Sequence, residues 1–190
     1  MGAPFGHGGV VAASAAIDQG RGGRVNGIAP VSCRPMSETS LQETYGPRGR
    51  CFGCGPKNDQ GLRIQSVVQG DEVVCTWQAE PHHQAWDGVV NGGIVGVLFD
   101  CHSNWTAAWH LFEQGGRTEF PSTVTADFHV KLHRPTTSRE PIELRARVVE
   151  STDRRAVVEA ELHANGRVTA SCRGTFVSVP PGHPAYHRWI

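Results

Sequence analysis

The sequence predicts an α+β domain in which a curved antiparallel sheet wraps one long central helix. Three observations carry that reading. An apolar stretch of helical period opens at Asn91-Gly92-Gly93 and runs to about Phe112. Two segments of strand character precede it and four follow it. The helix is apolar on nearly every side, so it must be enclosed rather than laid on a surface.

In chain order, residues up to Pro47 are rich in Gly, Ala and Ser and show no apolar period. They are expected to form a poorly ordered extension, 1–47, ahead of a domain spanning 48–180. Met36-Ser37-Glu38-Thr39 reads as a natural start, which makes the preceding residues a start error or a dispensable tail. After the loop Cys51-Phe52-Gly53-Cys54-Gly55-Pro56, Leu62 to Val68 reads as a strand. Gly70-Asp71 turns it into a hairpin partner from Glu72 to Gln78. A loop from Glu80 to Val90 holds His82, His83, Trp86 and Gly88. On the helix, Ile94, Leu98, Cys101, Trp105, Trp109 and Phe112 recur at helical spacing as one apolar stripe, and Gly115-Gly116 ends it. Strands are then expected over Thr123–Leu132, Ile142–Glu150, Ala156–Ala164 and Arg167–Val179. Asp153-Arg154 and Asn165-Gly166 supply the tight turns. The last residues, 181–190, read as an irregular tail.

The bulk properties exclude several classes. A chain of 190 residues is long enough for one domain with a proper core. Its 18 basic and 18 acidic residues balance, so no nucleic-acid footprint is visible. No apolar run reaches the length of a bilayer span, and no membrane role is expected. The N-terminus lacks the basic start and sustained apolar core of a secretory signal, which reads as cytosolic. The six cysteines are then expected to be free thiols rather than a disulfide framework. Cys51 and Cys54 form a C-x-x-C, but the pair about thirty residues on, His82-His83, is a dipeptide whose side chains usually diverge. A plain Gly-rich loop is therefore expected, with no metal and no cofactor.

Asp100 is the candidate for chemistry. It lies nine residues after Asn91, where an ordinary enclosed helix would carry no charge. The helix start offers bare backbone N–H groups at the positive end of the dipole. A positive helix end and a lone acid on one segment suggest chemistry on a carbonyl. Gly93, Gly96, Ser103, Asn104 and Ala107 share a helix face with Asp100 and leave room beside it. Each residue also has a plain structural reading: Asp100 as an acid held by Thr, Ser or backbone, Asn91 as an N-cap, Thr125 as a strand former. Cys101 and His102 follow Asp100 but point about 100° apart, so they do not form a dyad with each other.

These residues resemble the hot dog fold, and within it the acyl-CoA thioesterases of the PaaI type, over roughly Cys51 to Val179. Asn91-Gly92-Gly93 stands where the family has a His-Gly-Gly or similar triplet, and Asp100 follows at the family's spacing. Thr125-Ala126-Asp127-Phe128, running on to Arg134-Pro135, resembles the family's strand after the helix. The Cys51-Phe52-Gly53-Cys54-Gly55 loop resembles one that precedes the first strand in many bacterial members. Asn91, where many relatives have His, is the one departure.

The resemblance implies hydrolysis of an acyl-CoA thioester. The Gly92 N–H would donate to the oxyanion, with Gln84 or Asn91 as second donor. Asp100 would be general base or nucleophile, and Thr125 would hold the water or the carboxylate. Gly93, Gln84, Gly88, Asn104 and Arg134 are the candidate substrate-binding residues. Arg134, Lys131, Arg154 and Arg155 are candidates for the phosphates of coenzyme A. Trp86, Trp105 and Trp109 are candidates for an acyl or aryl pocket. The site is expected where two subunits meet, in a dimer or dimer of dimers. The alternatives are a non-catalytic acyl-CoA-binding protein and a hot dog hydratase or dehydratase. The latter needs an Asp–His pair that His102 supplies poorly.

Overall fold

Six strands form one antiparallel sheet that curls around a single helix. They are β1 (Val67–Gln69), β2 (Glu72–Trp77), β5 (Thr123–Leu132), β6 (Ile142–Ser151), β7 (Arg155–Ala164) and β8 (Arg167–Ser178), with α2 (Gly92–Gln114) as the enclosed helix. The sheet order is β1-β2-β6-β7-β8-β5. The computed structural model describes residues 39–187. The expected start site at Met36 and the loose segment before it lie outside those residues. Among the described residues, no helix is long and apolar enough to cross a membrane.

The period-two segments become strands because one face of each meets the helix. Leu144 and Ala146 on β6, Val158, Ala160 and Leu162 on β7, and Phe176 on β8 are buried in one cluster with Val95, Leu98, Phe99 and Trp105 of α2. Burying each large side chain contributes roughly 1.5–3 kcal/mol. The alternate residues, among them Arg145, Arg147, Glu159 and Arg173, are more accessible and pair across the outer face. The β7–β8 turn uses Asn165 and Gly166 at φ 51° and 66°, the left-handed values that a two-residue hairpin needs.

Three expectations are corrected. The segment up to Pro47 is not loose throughout: α1 (Leu41–Tyr45) forms within it, with Leu41 and Gln42 buried. Ser40 and Glu43 make a reciprocal capping box, which provides for the first turn's free N–H groups. The strand expected over Leu62–Val68 shortens to β1. The Leu62 and Ile64 N–H groups instead donate to the carbonyls of Phe52 and Gly53 in the cysteine loop. The loop from Glu80 to Val90 contains a small hairpin, β3 (Gln84–Trp86) and β4 (Val89–Val90), after a short 3-10 turn at Pro81–His83. Gly88 closes that hairpin at φ 75°, where a Cβ would lie 2.7 Å from Arg139.

Candidate active site

The helix start is pinned before it is used. Val90 N–H donates to the Thr136 carbonyl and Asn91 N–H to the His83 carbonyl, both at 2.9 Å. Asn91 is extended at φ −61°, ψ 135°, and its Oδ1 accepts from Gly93 N–H at 2.8 Å. This is the N-cap read from the sequence. The cap uses the Gly93 N–H and leaves the Gly92 N–H with no partner among the described residues. Asn91, Gly92 and Gly93 are all exposed. A Cβ on Gly92 would come 3.3 Å from Leu132 Cδ1, and one on Gly96 would meet open space. Gly92 and Gly96 thus leave that part of the helix surface without side chains.

Asp100 is half-buried and ends a chain of hydrogen bonds. Thr123 Oγ1 donates to Asn104 Oδ1 at 2.6 Å, and Asn104 Nδ2 donates to Thr125 Oγ1 at 3.3 Å. Thr125 Oγ1 then donates to Asp100 Oδ1 at 2.6 Å. Every donor in this series points the same way, so the carboxylate is the terminal acceptor. Oδ2 has no partner among the described residues. A β-bulge after Thr125 shifts the pairing from Thr125–Phe176 to Asp127–Thr175, so Thr125 faces the helix while Asp127 borders a cleft on the outer face. Sequence reasoning brought Asp100, Thr125 and Asn104 together. It missed Thr123, whose link to Asn104 spans 19 positions and leaves no local signal.

Other candidates fall elsewhere. Both ends of the Gln84 amide are occupied within the chain: Nε2 donates to Ser138 Oγ at 3.0 Å, and Oε1 accepts from Gly88 N–H at 3.3 Å. Gln84 therefore braces the β3–β4 hairpin. Gly88 serves as the turn residue of the same hairpin. Arg134 lines a cleft of about 380 Å³ with Arg167 and Thr169. Arg155 pairs with Glu150, and Arg154 bonds the Ser178 carbonyl. Trp105 is buried in the core, with its Nε1 donating to Cys54 Sγ at 3.2 Å. Trp109 packs against the core, and Trp86 is exposed.

His102 is fully buried. Its Nε2 donates to the Val73 carbonyl at 3.0 Å, which leaves Nδ1 to accept from Ser66 Oγ at 2.9 Å. Burial depresses its pKa to about 4, so the ring is neutral near pH 7. A neutral, doubly bonded ring of this kind is a structural element and cannot serve a hydratase dyad with Asp100.

A cleft of about 630 Å³ lies apart from this site. It lies on the outer face of the sheet. Arg173 there bonds both Glu159 and Glu150, and Arg145 bonds Glu143 and Glu72, so these charges are already matched.

Residues 87–171, which contain the helix start, Asp100 and Thr125, match the thioesterase superfamily. Among solved structures, a thioesterase superfamily protein from Shewanella loihica is 28% identical, with a TM-score of 0.53 over 62% of this chain and 91% of that one. A second thioesterase superfamily protein, RHA08564, is 23% identical, with a TM-score of 0.59 over 79% of this chain and 70% of that one. PaaI of E. coli, from the phenylacetic acid degradation operon, is 16% identical, with a TM-score of 0.52 over 63% and 81%. The last two likenesses are of fold. No curated protein matches the chain in sequence. The fold is the hot dog fold, and the resemblance to its thioesterases is borne out.

Proposed function

We propose that the protein hydrolyses an acyl-CoA thioester, with Asp100 as the group that activates water. The observation that carries this reading is the one-way hydrogen-bond series ending on Asp100 Oδ1, which fixes the carboxylate and leaves Oδ2 available. In the general-base form, Oδ2 takes a proton from water as the water oxygen bonds the thioester carbon. The carbonyl electrons move to the oxygen, where the Gly92 N–H donates. Collapse then breaks the C–S bond, and the departing thiolate takes up a proton. In the nucleophilic form, the same oxygen bonds the carbon, the C–S bond breaks and the thiolate leaves to take up a proton, and water then opens the anhydride to give the free acid and restore the Asp100 carboxylate. The free Nδ2 of Asn91 is the second donor favoured here, since Gln84 is engaged.

One copy does not complete this site. Gly92 and Asp100 are eight residues apart on one helix, which separates them by about 12 Å along its axis. That is too far to act on one carbonyl. We therefore assign the oxyanion donor and the carboxylate to different copies of the chain. The β5 strand supplies the surface. It is a ten-residue edge strand at the end of the sheet, with Phe128 and Leu132 exposed. Such an edge pairs readily with a second copy. The assembly is a homodimer or a dimer of dimers.

A thiol-release assay over a panel of acyl-CoAs tests the reaction. Release of free coenzyme A with at least one member is the expected result. Tight binding of acyl-CoAs without thiol release would overturn it in favour of a non-catalytic acyl-CoA-binding protein.

A further inference from the structure

The loop before β1 and the middle of α2 bring three thiols to one point. Cys51, Cys54 and Cys101 place their sulfur atoms within 4.8 Å of one another, and Cys51 Sγ lies 3.7 Å from Cys101 Sγ. Thiols that merely fill a core need not converge in this way. The loop is also shaped for the approach. The turn over Cys51-Phe52-Gly53-Cys54-Gly55 closes with Gly55 N–H donating to the Cys51 carbonyl at 2.9 Å. A Cβ on Gly53 would fall 2.3 Å from Cys101 Sγ, so the loop can reach the helix only because that side chain is missing. Trp105 Nε1 donates to Cys54 Sγ and orients the second sulfur.

We propose that Cys51, Cys54 and Cys101 form a three-thiolate site for one zinc ion, separate from the Asp100 chemistry. A Zn–S bond of about 2.3 Å in tetrahedral geometry sets sulfur–sulfur edges of about 3.8 Å. The Cys51–Cys101 distance already matches such an edge. Cys51 is exposed and lines a cavity of about 310 Å³ with Arg50, Cys54 and Trp105. The fourth coordination position opens there, to water or an external ligand. Binding is not a redox step: three Sγ–H bonds break, three protons pass to the buffer, three Zn–S bonds form, and the site carries one net negative charge. The metal would tie the cysteine loop to α2 immediately beside Asp100. Sequence reasoning sought the remaining ligands at His82-His83 and placed Cys101 in the apolar stripe; the fold supplies the third ligand from the helix.

The test is a Zn(II) titration of the full chain kept reduced with a phosphine, following metal uptake, proton release and Tm. The expected result is one Zn(II) per chain, release of protons on binding, and a rise in Tm that a chelator reverses. Co(II) in its place should give the intense visible band of tetrahedral thiolate coordination. Cys51→Ser, which alters the exposed ligand and spares the core, should weaken binding at least 100-fold, whereas Cys172→Ser should leave it unchanged. Sub-stoichiometric uptake by the reduced chain would overturn the proposal. So would Cys51→Ser binding as tightly as the parent. Because the readouts are metal and protons, failure here says nothing about thioester hydrolysis, and the reverse also holds.

Discussion

Two polar networks leave α2 from opposite sides, and they end differently. His102 joins Gln42, Ser66 and the Val73 carbonyl in a buried group whose donors and acceptors find each other: Gln42 Nε2 to Ser66 Oγ, Ser66 N–H to Gln42 Oε1, Ser66 Oγ to His102, His102 to Val73. Asp100, two positions earlier and about 200° around the helix, ends a series that stops at a half-buried carboxylate with one oxygen unclaimed. The first network is closed and ties α1, β1 and β2 to the helix. The second is open: Asp100 Oδ2 has no partner among the described residues. A closed network is what a purely structural polar group needs, and an open end is what the proposed role of Asp100 needs.

The sharpest way to break the comparison is to exchange the effects of the two residues. Asp100→Asn keeps shape and hydrogen bonding but cannot accept the proton. It should lower kcat about 10²- to 10⁴-fold with Tm nearly unchanged. His102→Ala takes the acceptor from the Ser66 hydroxyl and a donor from the Val73 carbonyl, both in the core. It should cost several kcal/mol by denaturant unfolding, on the order of 1–3 kcal/mol for each orphaned group. Near-normal hydrolysis by Asp100→Asn, or an unchanged Tm for His102→Ala, would erase the distinction.

Acid sharpens it next. The His102 pKa is depressed to about 4 in the fold, against 6.5 for an exposed ring. Between those values the unfolded chain binds the extra proton, so stability falls as pH drops through that window. The loss should approach about 3 kcal/mol near pH 4. Denaturant titrations at pH 7 and pH 4.5 measure it, and His102→Gln should flatten the difference.

Smaller effects follow along the open network. Thr125→Val removes the hydroxyl that bonds Asp100 Oδ1 and should lower kcat by about 10-fold or somewhat more, the worth of one hydrogen bond to a charged group. Thr123→Val acts two bonds further from the carboxylate and should cost only a few-fold in kcat. Steady-state kinetics of the two variants side by side should reproduce that order. The reverse order would mean that the series does not converge on Asp100.

Much of this was legible in the sequence, for identifiable reasons. β5 occupies its expected bounds, and β6, β7, β8 and α2 depart from theirs by one or two residues, because their periods are long and their turns carry Asn-Gly and Gly-Gly signals. The β3–β4 hairpin was invisible because two or three residues cannot display a period. α1 was missed although Ser40-Leu41-Gln42-Glu43 spells out the capping box that makes it. At the site, Asp100 and Asn91 stood out as polar residues on or beside an apolar helix. Gln84 was drawn to the reaction by its place in the loop before the triplet, but hydrogen bonds to Ser138 and Gly88, made only in the folded chain, occupy it. Thr123 and the meeting of Cys101 with Cys51 depend on tertiary contact alone.

The division of labour between two copies can be tested by mixing two disabled chains. Asp100→Asn lacks the base but keeps its helix start. Gly92→Val keeps its base but blocks the approach to the helix start beside Leu132. Each alone should be nearly inactive toward a thioester that the parent hydrolyses. After equimolar subunit exchange, half of the dimers pair one of each and hold one intact site, so thiol release should recover to about a quarter of the parent rate. Activity that stays at the level of the separate variants, with mixed dimers present, would contradict a carboxylate and an oxyanion donor contributed by different chains.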